Sequence, residues 1–228
     1  TIEGYRASIS QVLLPAADLD LSDNYYINRL LSNFSKKKTK NNNMPQWDLS
    51  LVLQALKEGP FEPLRKSSLK WLTLKTVFLV ALASAKRRGE LHAIRYSTFS
   101  RREDWSSVTL RPDSRFISKT ELAGRGQHAL KPIVIQAIKS ADGHNKEEDR
   151  KLCPVRALKF YLRATMDLRK DKESFYISFK KGHKQDICKN TVSFWIRKAI
   201  FCAYDESSDK LKKKFKVKAH DLRGLAAS

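Results

Sequence analysis

The sequence predicts an α+β protein, mostly helical, with one small antiparallel sheet set among the helices. Two observations carry that expectation. Through most of the 228 residues, apolar side chains recur at i, i+3, i+4 and i+7, the spacing of a helix face turned toward a core. One block in the middle breaks that period: "SSVTLRP", "RFISKT" and "LKPIVIQ" are short, rich in β-branched residues, and separated by Pro, Asp and Gly turns, which is strand and hairpin patterning. A third observation bears on function. Lys and Arg number 45 against 24 Asp and Glu, a net charge of +21, and on a chain with 41% hydrophobic residues such an excess points to a polyanionic partner, nucleic acid first.

Residues 1–34 hold two helical pieces, "YRASISQVLL" and "NYYINRLLSNF", with Ser22 and Asp23 as candidate caps of the second. The polar, basic run "SKKKTKNNNMPQ" (35–46) reads as an interdomain linker. The chain thus divides into a helical piece over 1–36, a basic linker over 37–46 and a main domain over 47–228.

The main domain opens with "DLSLVLQALKEG", where Leu49, Val52, Leu53 and Leu56 share a helix face, Asp48 is the N-cap and Gly59 the stop. "LKWLTLKTVFLVALASA" (69–85) is apolar nearly all round and is the expected buried central helix. A shorter helix, "RRGELHAIRY", leads into the sheet. After it, "CPVRALKFYLRATMDLR" is helical, with Pro154 in its first turn and Val155, Leu158, Leu162 and Met166 on one face. "FYISF" (175–179) is a candidate edge strand. "NTVSFWIRKAIFCAY" is a helix capped by Asn190, with Val192, Trp195, Ile196, Ala199, Ile200 and Ala203 inward. A basic loop, "KLKKKFKVK", precedes a closing helix that begins at "AHDLRGLAAS". Trp47, Trp71 and Trp195 fall at core positions.

Several function classes find no support. No apolar run is long enough to span a bilayer, and "TVFLVALASA" leads straight into "KRR". The first residues carry no secretory pattern and start in mid-helix, as expected for an excerpt of a longer chain. The three cysteines, Cys153, Cys188 and Cys202, are far apart with no CxxC pair, so neither a zinc site nor a disulfide frame is expected and a reducing, intracellular setting fits best. His92, His128, His144 and His183 lack ligand-like spacing and read as surface or local hydrogen-bonding groups. No metal and no other cofactor is expected.

The chemistry-bearing residues fall in two boxes. In "SAKRRGELHAI" (84–94), Arg87 and Glu90 stand at a helix start, where free N–H groups favour a phosphate and an arginine adds a bidentate fork. In "HDLRGLAAS" (220–228), His220 and Arg223 share a helix face, away from Leu222 and Leu225. The sheet between them carries Lys119. Two arginines, a lysine and a histidine can stabilise a pentavalent phosphorane and move its protons. A metal-dependent nuclease would want clustered carboxylates instead, and here the acidic residues are scattered apart from Glu147, Glu148 and Asp149 in a loop.

These boxes resemble those of the tyrosine recombinases, the phage-integrase family: "SAKRRGELHAI" is similar to its first-arginine box, T-G-x-R-x-x-E-L, and "HDLRGLAAS" to its second, H-x-L-R-H-x-x-A-T. The stretches "PQWDLSLVLQAL", "FEPL", "LTLKTVFLVALASAKRRGELHA", "LCPVRAL" and "SFKKGHK" resemble recombinases of DIRS-, Ngaro- and Crypton-type eukaryotic mobile elements, and argue against the related type IB topoisomerases. The resemblance implies a recombinase catalytic domain over 47–228, preceded by the end of a helical, SAM-like core-binding domain. It implies an enzyme that cleaves and rejoins double-stranded DNA through a 3′-phosphotyrosyl link, within a tetramer on DNA, in the nucleus, with no cofactor and no membrane. Arg87 and Arg223 would clamp the scissile phosphate, His220 would hydrogen-bond it and assist the nucleophile, and Glu90 would support Arg87 or the helix start. A hairpin lysine, Lys119 or alternatively Lys131, would protonate the leaving 5′ oxygen. Lys36, Lys37, Lys38 and Lys40, Lys180, Lys181 and Lys184, and Lys212, Lys213 and Lys214 would follow the DNA backbone. This chain has Ser84-Ala85 where the family has T-G, and Gly224 where it has a second His. The nucleophilic Tyr is implied beyond Ser228, so residues 1–228 alone are expected to be inert. The alternative is a domesticated DNA-binding module that grips DNA without cutting it.

Overall fold

The structure, a computed structural model, describes residues 2–18, 20, 21, 23–37, 47–117, 131–139, 146–169, 172–180, 187–204, 222 and 225. It is α+β and forms two compact units, Thr1–Met44 and Pro45–Ser228.

The first unit holds helices α1 (Ile2–Ala17) and α2 (Tyr25–Lys37). They are joined through polar groups: Arg6 donates to Asn28, and the Ser10 hydroxyl donates to Asp20 (2.6 Å) while accepting the Leu21 N–H (3.1 Å). Asp23 does not cap α2, and Ser22 lies outside the described residues. The helix starts later, and the adjacent Asn24 carboxamide oxygen accepts the Ile27 N–H (3.1 Å), as an N-cap must. At its other end α2 runs through Ser35 and Lys36 to Lys37, into the stretch read as linker.

The second unit is built on α4 (Leu69–Ser84), whose residues 72–81 are all buried. A helix apolar on every side has no solvent face to offer and must be wrapped. The wrapping comes from α3 (Leu49–Ala55), α7 (Pro154–Ala164), α8 (Lys189–Phe201) and the sheet. Asp48 caps α3 through the Ser50 N–H (2.8 Å), and Val52 and Leu56 point into the core. The helix stops at Ala55, before Gly59. Trp47 and Trp195 are buried, and Trp71 is half-buried against Phe61 with ring centroids 5.4 Å apart.

One polar knot sits inside this core. The turn after α3 places Glu62 against Lys75 of α4 (2.5 Å) and Arg156 of α7, whose fork makes two bonds of 2.7 and 3.1 Å. Lys75 is fully buried and also donates to the Leu56 carbonyl (2.6 Å). Burial, opposed by Glu62, lowers its ammonium from 10.5 to about 8. Burial would raise the Glu62 carboxyl, but the hydrogen bonds from Arg156 and then Lys75 outweigh it and hold it below the usual range.

The sheet has three antiparallel strands in the order β1 (Ser100–Arg101), β2 (Ser107–Leu110), β3 (Ile133–Gln136). Val108 faces Ile135 and Leu110 faces Ile133 across β2 and β3, and all four side chains are buried. Its membership differs from the sequence expectation. Arg115–Ile117, in "RFISKT", are not strand, and Ser100–Arg101 supply the third strand instead. Two residues are too few to show a period in the sequence.

Other elements also depart from expectation. Helix α5 is Arg88–His92 alone, since residues 94 and 95 turn into bridges with Pro112 and Ser174. Glu147, Glu148 and Asp149 lie on a short helix, α6 (Lys146–Lys151), not in a loop. Helix α7 ends at Ala164 and tightens into a 3-10 turn, Met166–Arg169. That turn leaves Met166 exposed, and Tyr161 takes the inward place beside Val155 and Leu158. Residues 175–177 form no edge strand. They are buried, pinned by the Arg169 guanidinium on the Phe175 carbonyl (2.8 Å) and by the Ile177 N–H on the Tyr161 hydroxyl (2.7 Å). Asn190 lies inside α8, which is capped at Cys188. At the far end of that helix the Tyr204 hydroxyl accepts the Asp48 N–H (2.7 Å). Leu222 is helical and joins the same core, with Leu225 packed against it.

Among the described residues no helix is long and apolar enough to cross a membrane. Cys153, Cys188 and Cys202 are free thiols.

Candidate active site

The backbone around Arg87 is set by how α4 ends. Ala85 closes that helix in the left-handed region, at φ 51° and ψ 22°. A Cβ there crowds the following carbonyl and costs roughly 1 kcal/mol or more, which is why glycine usually holds such positions. The chain then reverses, and Arg87 becomes the N-cap of α5 in an extended conformation. The Glu90 carboxylate reaches back to the Arg87 N–H (2.6 Å), the acidic half of a capping box. Lys86 lies 3.7 Å from the same carboxylate. Glu90 therefore fixes the backbone of Arg87, whose side chain is half-buried. Replacing Ala85 with Gly should relieve the left-handed strain and stabilise the unit by about 1 kcal/mol, read as a raised urea midpoint with unchanged slope.

Two further elements close on this corner. Helix α8 approaches through Arg88, which donates to Asn190 (3.2 Å), and through His92, whose Nε2 meets the Ile187 carbonyl (2.7 Å). The loop after β2 approaches from the sheet. Its anchor is Asp113, which the pattern of the sequence does not single out. Asp113 accepts Arg115 through the backbone N–H (2.9 Å) and the guanidinium (3.1 and 3.2 Å), and accepts Arg95 at 2.8 Å. The Arg115 side chain first, then its N–H, then Arg95 hold the Asp113 carboxyl far below the usual carboxylate range. The clamp turns the loop so that Phe116 lies on α5: a Cβ placed on Gly89 would sit 3.7 Å from that ring.

Arg87 and Glu90 are thus placed together at the head of α5. Lys119, His220 and Arg223 lie outside the described residues, and Lys131, the alternative lysine, is exposed two positions before β3. Of the expected DNA-tracking lysines, Lys180 is exposed. Lys36 and Lys37 lie on α2 with side chains outside the description, as do Lys38, Lys40, Lys181, Lys184, Lys212, Lys213 and Lys214 altogether. His92 is a local hydrogen bonder; His128, His144 and His183 are also outside. Among the described residues no cluster of His, Cys, Asp and Glu could hold a metal ion.

In comparison with known proteins, no family model, no characterised protein and no solved structure matches the chain.

Proposed function

We propose that this chain is part of a DNA strand-transfer enzyme of the tyrosine-recombinase kind, which cleaves duplex DNA through a 3′-phosphotyrosyl intermediate and rejoins it. One observation carries the reading. Ala85 occupies the position of the glycine in T-G-x-R-x-x-E-L, and Ala85 is the residue held at a positive φ. The first box then matches in backbone demand as well as in letters: a left-handed helix stop, then an arginine, then a glutamate three residues on that locks the arginine's N–H. A chance RxxE on a helix surface requires none of this.

Two further points support it. Phe116 lies against α5, the helix that Arg87 caps, and stands three positions before Lys119 in sequence. Leu222 and Leu225 join the core of the same unit, on either side of Arg223 in sequence.

In the proposed reaction the Arg87 and Arg223 guanidiniums bind the non-bridging oxygens of the scissile phosphate and stabilise the charge that grows there as the phosphorane forms. His220 hydrogen-bonds the same group. The tyrosine hydroxyl, assisted by His220, gives up its proton to that imidazole as its oxygen bonds to phosphorus; the bond to the 5′ oxygen breaks, and Lys119 gives the leaving oxygen a proton. The phosphodiester energy is kept in the covalent link, so religation reverses the step. The basic charge of +21 supplies the grip on DNA, and a tetramer would exchange strands in the nucleus.

A chain extended through the downstream tyrosine should form a covalent adduct with duplex DNA in the presence of EDTA, seen as a slow-migrating band on a denaturing gel, whereas residues 1–228 form none. An extended chain that binds duplex with a steep salt dependence yet makes no adduct is the DNA-binding module instead. An adduct that appears only with added metal sinks the proposal.

A further inference from the structure

A second basic surface lies away from Arg87. It is a groove of about 530 Å³ between the outer face of α7, α6 and the β1–β2 turn. Arg156, Lys159 and Arg163 fall at i, i+3 and i+7 on α7, opposite the buried Val155, Leu158 and Tyr161. Arg65, Lys146 and Arg150 line the other side. The one carboxylate in its lining among the described residues is Asp104, which is turned to the Ser106 N–H of its own loop (2.9 Å). Of the six cations, Arg156 is engaged with Glu62; among the described residues no ion pair joins the other five to a carboxylate.

The groove is built, not incidental. Trp105, a bulky residue, is held at φ 58°, a conformation that costs energy and persists only where its surroundings enforce it. Its ring carries the Arg101 guanidinium at 4.7 Å and the Lys159 ammonium at 5.3 Å from its centroid. The strained turn therefore fixes cations at the mouth of the groove.

The two surfaces stand at opposite ends of the hairpin. Trp105 precedes β2, and Phe116, against α5, follows it; the four residues of β2 alone rise roughly 13 Å. Along α7 the cations from Arg156 to Arg163 span about 10 Å, which reaches past one phosphate to its neighbour.

We propose that this groove binds the phosphate backbone of a second nucleic-acid segment, independent of base sequence, while the Arg87 corner holds the first. The count of two segments rests on the Arg87 corner being a DNA site, although the groove shares no residue with it. Its cations can neutralise a backbone and release its counterions.

The test is acetylation footprinting of Lys146 and Lys159 by mass spectrometry, with a 25-base-pair duplex as the probe, together with the binding stoichiometry. Duplex should slow modification of both lysines at least fivefold, and saturation should come at two duplexes per chain. Arg150→Glu with Arg163→Glu, both at exposed positions, should abolish that protection and return the stoichiometry to one, with adduct formation by the extended chain unchanged. Poly-glutamate of matched charge should protect far less. Unprotected lysines at saturating duplex would overturn the proposal, as would a stoichiometry of one in the unaltered chain. Equal protection by poly-glutamate would also overturn it, in favour of an acidic protein partner. A lost adduct with intact lysine protection would instead count against the reading of the Arg87 corner alone.

Discussion

Replacing Arg87 with Ala, in a chain extended through the downstream tyrosine, is expected to slow covalent adduct formation by about 10²- to 10³-fold, with duplex affinity changed by less than about threefold. The asymmetry is physical. One phosphate contact among many is a small share of affinity for a chain of net charge +21. In the proposed reaction the same guanidinium meets the additional charge that develops on the phosphate in the transition state. The fold should survive, because the capping bond at α5 uses the Arg87 backbone N–H and the Glu90 carboxylate (2.6 Å), which Ala retains. Arg87→Lys should recover little, since a point charge cannot make the fork's two parallel bonds. Arg223→Ala should behave like Arg87→Ala. Lys119→Ala should be rescued by a 5′-sulfur leaving group, which needs no proton. Rescue of Lys131→Ala in its place would move the general acid and leave the mechanism. An Arg87→Ala chain that forms adduct at the unaltered rate would remove this corner from the chemistry.

The second large effect is on stability. Glu62→Gln should destabilise the second unit by about 3–5 kcal/mol, because it strands Lys75 as a buried charge without a counterion. Glu62 holds three donors at once: the Lys75 ammonium at 2.5 Å, the Arg156 fork and the Leu64 N–H at 3.0 Å. Lys75→Met is the contrast. It removes the desolvated charge and leaves the Glu62–Arg156 pair, so it should cost no more than about 1 kcal/mol. The two variants also differ in pH response. Folded Lys75 loses its proton at about 8, below the 10.5 of the free side chain. Between those values the unfolded chain binds the extra proton, so unfolding free energy rises with pH. That rise, measured by urea denaturation at pH 7.5 and 10, should be present in the unaltered protein and missing from Lys75→Met. Equal pH slopes would show that Lys75 is not titrating in this window.

The helices of the second unit were legible because burial imposes a period on them. The all-apolar run of α4 and the inward faces of α3 and α8 can be read directly from spacing. What depended on particular turns could not. The sheet was misassigned at its edges because β1 has two residues and Arg115–Ile117, though rich in strand formers, are claimed by the Asp113 clamp. The edge strand expected at 175–179 failed because Arg169, a residue whose type suggests solvent, is buried and draws those carbonyls inward. At the candidate site, letters alone put Arg87 and Glu90 together at a helix start. They did not reveal that Ala85 occupies a glycine's conformation, nor that Phe116 carries the hairpin to α5. The groove on α7 was visible in principle as cations at i, i+3 and i+7, but nothing in the sequence brings Arg65 and Trp105 beside them.

The bond from the Asp48 N–H to the Tyr204 hydroxyl joins residues 156 positions apart, and Leu222 fills the same core as Trp47. On a ribosome, the opening helix of this unit therefore emerges long before the residues that cover it. Synthesis at about 5–20 residues per second leaves that apolar surface open for roughly ten seconds or more, and contacts so distant in sequence also slow the closing of the fold. A chain released before Leu222 should therefore leave that part of the core uncovered.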